Sequence, residues 1–242
     1  CSKANQKKIV KKASTKMAIN RSFTTLAGVS STICCAAEGL SLLGGAPIRM
    51  KAATLRVGKS TVHARCDLMH DDGKVACTVV GIFGGPRESR FVKEMPRPEP
   101  DVLPEDASSS VAGSPLSPAF LRHFEVRVAR GAQPYSGYAE PRSLIYARLR
   151  DRECGSEDAL LALADVIPTP VLSMLTEPAP ASSVNWMLEV LRDPAYLDLH
   201  DWVLTDTEVR AGTAGYLSQT SVLYGADGHA YSVSHQTVAV FG

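Results

Sequence analysis

The sequence is short of most of the features that assign a chemistry at sight. None of its six cysteines, at 1, 34, 35, 66, 77 and 154, stands in the C-x-x-C spacing that nominates a zinc or dithiol site. Such usage in a long chain suits reduced thiols and a reducing compartment, so the cytoplasm is the expected location, although spacing alone leaves disulfides open. Charge of one sign is also missing. The 26 Lys+Arg against 25 Asp+Glu leave a formal charge of +1, which gives no reason to expect nucleic acid or a strongly acidic partner. Long hydrophobic runs are absent too: the most apolar stretch, Leu26 to Ala46, is broken by Ser30, Ser31, Thr32 and Glu38 and falls short of the roughly 18 apolar residues of a membrane span. No G-x-S-x-G elbow of a serine hydrolase and no glycine-rich phosphate loop occurs.

What is present is ordinary globular material. With 242 residues, 45% hydrophobic and 21% charged, the chain can bury a sizeable core as one large or two small domains, and disorder of the whole is excluded. It opens on Cys1-Ser2 without Met, as a trimmed start or the mature end of a lipoprotein would, and no signal peptide pattern supports the second. Six lysines among the first sixteen residues predict a solvated basic arm over 1–20. Apolar residues at 26, 29, 33, 36, 37 and 40 predict a helix from Arg21 to Leu43, ended by Gly44-Gly45. Strand signals follow at Ile48 to Leu55, Ser60 to Met69 and Val75 to Phe83, the last two joined by a turn at Asp71-Asp72-Gly73. The seven prolines between 84 and 118 predict a linker over 85–118 in which no regular element persists.

After the linker the pattern restarts. Strands are expected at Phe124 to Ala129 and Leu144 to Leu149, then a helix capped by Ser156, with Glu157 and Asp158 in its first turn and Pro168 ending it. Further strands are expected at Val184 to Leu191, Trp202 to Arg210, Tyr216 to Tyr224 and Ala230 to Phe241. LRVGKSTVHARCDLMHDDGKVACTVVGIFG (55–84) runs parallel to EVRAGTAGYLSQTSVLYGADGHAYSVSHQTVAVFG (208–242). Each is a strand, a D-G hairpin and a β-branched strand ending near Phe-Gly. Two such halves, each with a helix ahead of its meander, make an α+β architecture of two similar domains, a first over 21–84 and a second over 119–242.

Three segments in order carry a family resemblance: a helix end ALLALADVIPTP, a strand start SSVNW followed by LHDWVL, and a last strand DGHAYSVSHQ. Together they resemble the acyl-CoA thioesterase II (TesB-like) family, whose members are double-hotdog proteins. The resemblance implies an α+β double hotdog, two helix-wrapped antiparallel sheets forming a pseudo-dimer, and places the family's catalytic residues on Asp165, Ser183 and Gln236. Asn185 stands where the family commonly has Asp. In the first half Asn20-Arg21-Ser22-Phe23 replaces the family's Gly-Gly, and the distance from the expected helix to LRVGKS is short, so the first hotdog is expected to be irregular or shortened.

The resemblance implies hydrolysis of an acyl-CoA substrate to free acid and coenzyme A, with no cofactor and no metal. Such chemistry needs an oriented water, a base and donors for the oxyanion. Asp165 would take the water's proton, and Ser183 and Gln236 would fix its direction. Taken as residues alone, Asp165 is also an ordinary carboxylate at a helix end, Ser183 a turn hydroxyl and Gln236 an exposed strand residue. His235 lies on the opposite strand face from Gln236. Trp186 and Trp202 read as core or interface anchors. Two other functions compete: a non-catalytic double hotdog that binds acyl chains or serves in assembly, and an enoyl-CoA hydratase, for which the expected Asp/His pair is missing. The basic arm offers weak attraction for the polyanionic coenzyme. The three residues are expected to converge on one water at the mouth of an apolar tunnel, and apolar sheet residues at 184, 186, 202, 216 and 222 suggest a homodimer.

Overall fold

The computed structural model describes residues 30–37, 49–85, 88–109, 118–151 and 153–241. Eleven strands are described: β1 (Ser30–Ala37), β2 (Arg49–Val57), β3 (Thr61–Met69), β4 (Val75–Gly84), β5 (Ser108–Ser109), β6 (Phe124–Arg130), β7 (Arg142–Leu149), β8 (Ala181–Val190), β9 (Val203–Thr213), β10 (Tyr216–Tyr224) and β11 (Ala230–Val240). They form one sheet in the order β2-β3-β4-β1-β8-β11-β10-β9-β7-β6-β5. Two short α-helices, α1 (Ser156–Asp165) and α2 (Val171–Met174), lie between β7 and β8.

The helix expected over 21–43 is corrected where it is described. Residues 30–37 are strand β1, paired antiparallel with β4 on one side and β8 on the other. A short apolar run in the middle of a sheet loses the alternation that marks a half-buried strand, so periodicity cannot tell it from a helix. The remaining parts of that expected helix, and the basic arm, lie outside the described residues.

The two halves repeat in detail. Thr61–Met69 and Tyr216–Tyr224 stand at one offset of 155 (216 less 61, 224 less 69). Both D-G turns place glycine in the left-handed region, Gly73 at φ +83° and Gly228 at φ +82°, where a side chain is strained. Each turn is closed the same way. Gly73 N–H donates to His70 O at 3.0 Å and Gly228 N–H to Gly225 O at 3.1 Å, while Asp72 and Asp227 each accept from the backbone two residues on. β1 and β8 meet at the centre of the sheet. There β1 occupies, beside β4, the place that β8 occupies beside β11. The short spacing to LRVGKS follows, because the segment ahead of it is the strand that succeeds a helix in the second half and not the helix.

Helix α1 positions the second half. Its Ala and Leu content favours helix, and Ala159, Leu160 and Leu163 are buried on one face. The N-cap is Gly155 and not Ser156, and no side chain caps it. The buried stripe packs with Leu188, Val190, Val203, Ala147 and Tyr231 on the concave side of the sheet. Leu188 is fully buried, so Leu188→Ala should cost about 2–5 kcal/mol in urea unfolding; a loss under about 1 kcal/mol would place it outside the core.

The expected linker is ordered over much of its length. Residues 88–109 run over the convex side, where Ala107 packs with Leu144, Tyr146, Leu204, Val222 and Tyr224. Arg130 holds Asp101 at 2.6 Å, Arg127 donates to Pro104 O at 2.6 Å and Tyr146 Oη donates to Val102 O at 3.1 Å. The segment even adds the two-residue strand β5 to β6. Proline removes backbone donors but leaves its carbonyl as an acceptor, which Arg127 takes at Pro104, while Arg130 takes the Asp101 carboxylate and Tyr146 the carbonyl of Val102. Hydrogen bonding by Arg130 holds the Asp101 carboxyl below its ordinary range, and Arg148 does the same for Glu125. Both contributions are present above the ordinary carboxylate range and are lost as pH falls through the lowered values. The urea midpoint should therefore drop on acidification below about pH 4, and Glu125→Gln should flatten that drop; an unchanged acid limb would remove Glu125 from it.

Candidate active site

Gln236 and Ser183 meet on the concave side. In β11 the residues Ser232, Ser234 and Gln236 face the same way as Leu223 on β10 and as Val190, Leu188 and Trp186 on β8. Ser183 would point away under strict alternation from Trp186. It does not, because the β8–β11 register shifts between Thr237 and Val238: Thr237 pairs with Asn185 and Val238 with Ser183, leaving Val184 as the extra residue. A bulge of this kind re-aims one side chain, here the serine. Gln236 Nε2 donates to Ser183 Oγ at 2.6 Å. Asn185 Oδ1 accepts from Thr237 N–H at 3.3 Å beside the shift, so the residue that departs from the family pattern supports the irregularity.

A second amide stands behind the first. Gln219 on β10 pairs with Gln236 across the ladder and donates from Nε2 to Gln236 Oε1 at 2.7 Å. Nothing in the sequence reading singled out Gln219. The register pair was the only available signal, since D-G turn counting places 219 opposite 236. Next to this pair a row of hydroxyls crosses four strands, Ser143, Thr207, Ser221 and Ser234, with Thr207 Oγ1 and Ser221 Oγ 2.9 Å apart. A small cavity of about 10 Å³, the size of a single water, lies between β6, β7 and the segment that follows α1, where Ser143, Thr169 and Ser173 line it together with apolar residues such as Val128 and Ile145.

Asp165 is the last residue of α1 and is exposed, between buried Leu163 and Val166. The helix lies against β11 and β7, the strands that bound the polar row. His235 is exposed on the opposite face, with Nδ1 3.3 Å from Thr220 Oγ1, as expected from alternation. Trp186 is buried in the concave core, and Trp202 lies on the convex side with Arg148 stacked 4.3 Å and Arg127 5.3 Å from its ring. Of the apolar residues expected to form a subunit face, Trp186 and Val222 are therefore covered within the chain, and only Val184 and Tyr216 stay exposed. Among the described residues no group of three or more His, Cys, Asp and Glu is placed to hold a metal, and no helix is long and apolar enough to cross a membrane.

A helix held on the concave side of an antiparallel sheet, with a second, repeated half joined through β1 and β8, defines a double hotdog of the α+β class. The chain belongs to the acyl-CoA thioesterase family: the acyl-CoA thioesterase C-terminal domain model matches residues 95–240. Solved structures agree on the fold. A hot dog fold protein from Alicyclobacillus acidocaldarius is 23% identical with a TM-score of 0.78, over 95% of this chain and 85% of that one. The acyl-CoA thioesterase II TesB2 from Mycobacterium marinum is 16% identical with a TM-score of 0.70, over 96% and 88%. The tesB protein of Mycobacterium avium subs paratuberculosis is 16% identical with a TM-score of 0.69, over 90% and 82%. Among curated proteins no sequence matches the chain.

Proposed function

We propose that the protein hydrolyses acyl-CoA thioesters to free fatty acid and coenzyme A, with Asp165, Ser183 and Gln236 acting on one water and without cofactor or metal. The observation that carries this reading is the Gln236 to Ser183 hydrogen bond, a carboxamide and a hydroxyl joined on the concave floor of an acyl-CoA thioesterase family chain. Asp165 accepts a proton from water as the oxygen attacks the thioester carbonyl carbon. Ser183 and Gln236 fix the direction of attack, which converts an encounter into an oriented step. The tetrahedral oxyanion then collapses, the carbon–sulfur bond breaks, and the proton taken by Asp165 is returned to the coenzyme A thiolate.

The site is expected only in the second half, 119–242. Ala64 and Gly81 pair in the first half as Gln219 and Gln236 pair in the second, and neither has a side chain able to hold water. The substrate pool is expected to be cytoplasmic acyl-CoA and the assembly a homodimer, which light scattering at micromolar concentration tests: a mass of one chain throughout would overturn it.

Turnover of a panel of acyl-CoAs, followed by a thiol reagent, tests the activity. Release of coenzyme A well above the rate in buffer is expected. Acyl-CoA binding without turnover would overturn hydrolysis in favour of a non-catalytic acyl-binding protein.

A further inference from the structure

We infer that Gln219 is a positioning residue for this hydrolysis, fixing which end of the Gln236 carboxamide faces Ser183. The inference rests on the thioesterase reading above and adds a residue to it.

A primary amide has an accepting oxygen and a donating nitrogen at nearly the same place, so a carboxamide beside a hydroxyl can be turned either way. Here one end is held. Gln219 Nε2 donates to Gln236 Oε1 at 2.7 Å, which turns Gln236 Nε2 toward Ser183 Oγ at 2.6 Å. Ser183 is then the acceptor in that bond, and its own hydroxyl proton is directed to the reacting groups. With the carboxamide reversed, Oε1 would face Ser183 and capture that proton instead.

Gln219 is 3% exposed, and its Oε1 meets no protein partner. Burial of an amide with one end unmet is unfavourable, so the residue is not there for stability. The first half makes the same point, because the equivalent register pair is Ala64 and Gly81; the fold forms without either amide. What the second half gains from Gln219 is the direction of the hydrogen-bond chain.

Two variants test this. Gln219→Met keeps the length and removes the donor; it should hold the thermal midpoint, lower kcat roughly tenfold to a hundredfold, on the scale of losing an outer-shell partner, and leave KM within about twofold. Gln219→Glu reads the direction itself. As a carboxylate it accepts from Gln236 and reverses the carboxamide, whereas as a carboxylic acid its O–H donates to Oε1 as the native amide does. Its activity relative to wild type should therefore recover as pH falls through that carboxyl's pKa, which burial raises. Retention of full kcat by Gln219→Met, or a deficit in Gln219→Glu that is constant with pH, would overturn the inference while leaving hydrolysis intact. Failure of the wild-type protein to turn over any acyl-CoA would remove both.

Discussion

Replacing Asp165 with Asn should lower kcat by about 10² or more, the usual scale for losing a general base, while leaving the fold intact. The asparagine keeps shape and can still orient water, but it cannot take a proton. Structural damage is a poor competing explanation, because Asp165 is exposed at the end of α1 and the helix is anchored by Ala159, Leu160 and Leu163. Exposed substitutions of this kind stay within about 0.5 kcal/mol. The helix dipole does not oppose the variant, since its negative end lies at the C-terminus where Asp165 stands. Steady-state rates of the purified variant, with its unfolding midpoint measured alongside, decide the matter: a wild-type rate would remove Asp165 from the mechanism.

How far the sequence reaches depends on whether the signal is local. The D-G turns, the second-half strands and α1 were legible because each is fixed by its own residues: glycine at positive φ in Gly73 and Gly228, alternation in the strands, a Pro stop after the helix. β1 was not, because what makes it a strand is pairing with β4 and β8, far away in the chain. The ordered course of 88–109 was hidden for a similar reason, as its partners Arg127, Arg130 and Tyr146 belong to other elements. In the site, Ser183 and Gln236 came from the family resemblance and not from periodicity, which sends Ser183 to the wrong face. The bulge at Val184 that brings it round leaves no mark in composition. Gln219 was missed because a buried glutamine on a strand looks like any polar residue on an exposed one until the register is known.

The dependence of Gln236 on two partners makes its replacement the change with the widest consequence. Gln236→Leu should lower kcat by about 10² or more, on the scale of removing a preorganised donor, and it should also destabilise the protein, which Asp165→Asn does not. The second effect comes from Gln219, whose Nε2 loses its acceptor at Gln236 Oε1 in a place only 3% exposed. An unmet buried donor costs about 1–3 kcal/mol, whereas replacing both partners with apolar groups of similar shape is close to neutral. The double variant Gln219→Met with Gln236→Leu should therefore recover most of the stability lost by Gln236→Leu alone and none of the activity. Ala64 and Gly81 already fill the matching pair in the first half without hydrogen-bonding side chains, so an apolar pair is compatible with this sheet. Urea unfolding of the wild type, both single variants and the double variant closes the cycle. If the losses simply add, the two amides act independently and the hydrogen-bond chain from Gln219 to Ser183 is not a unit; if stability returns while turnover stays lost, the pair is retained for chemistry.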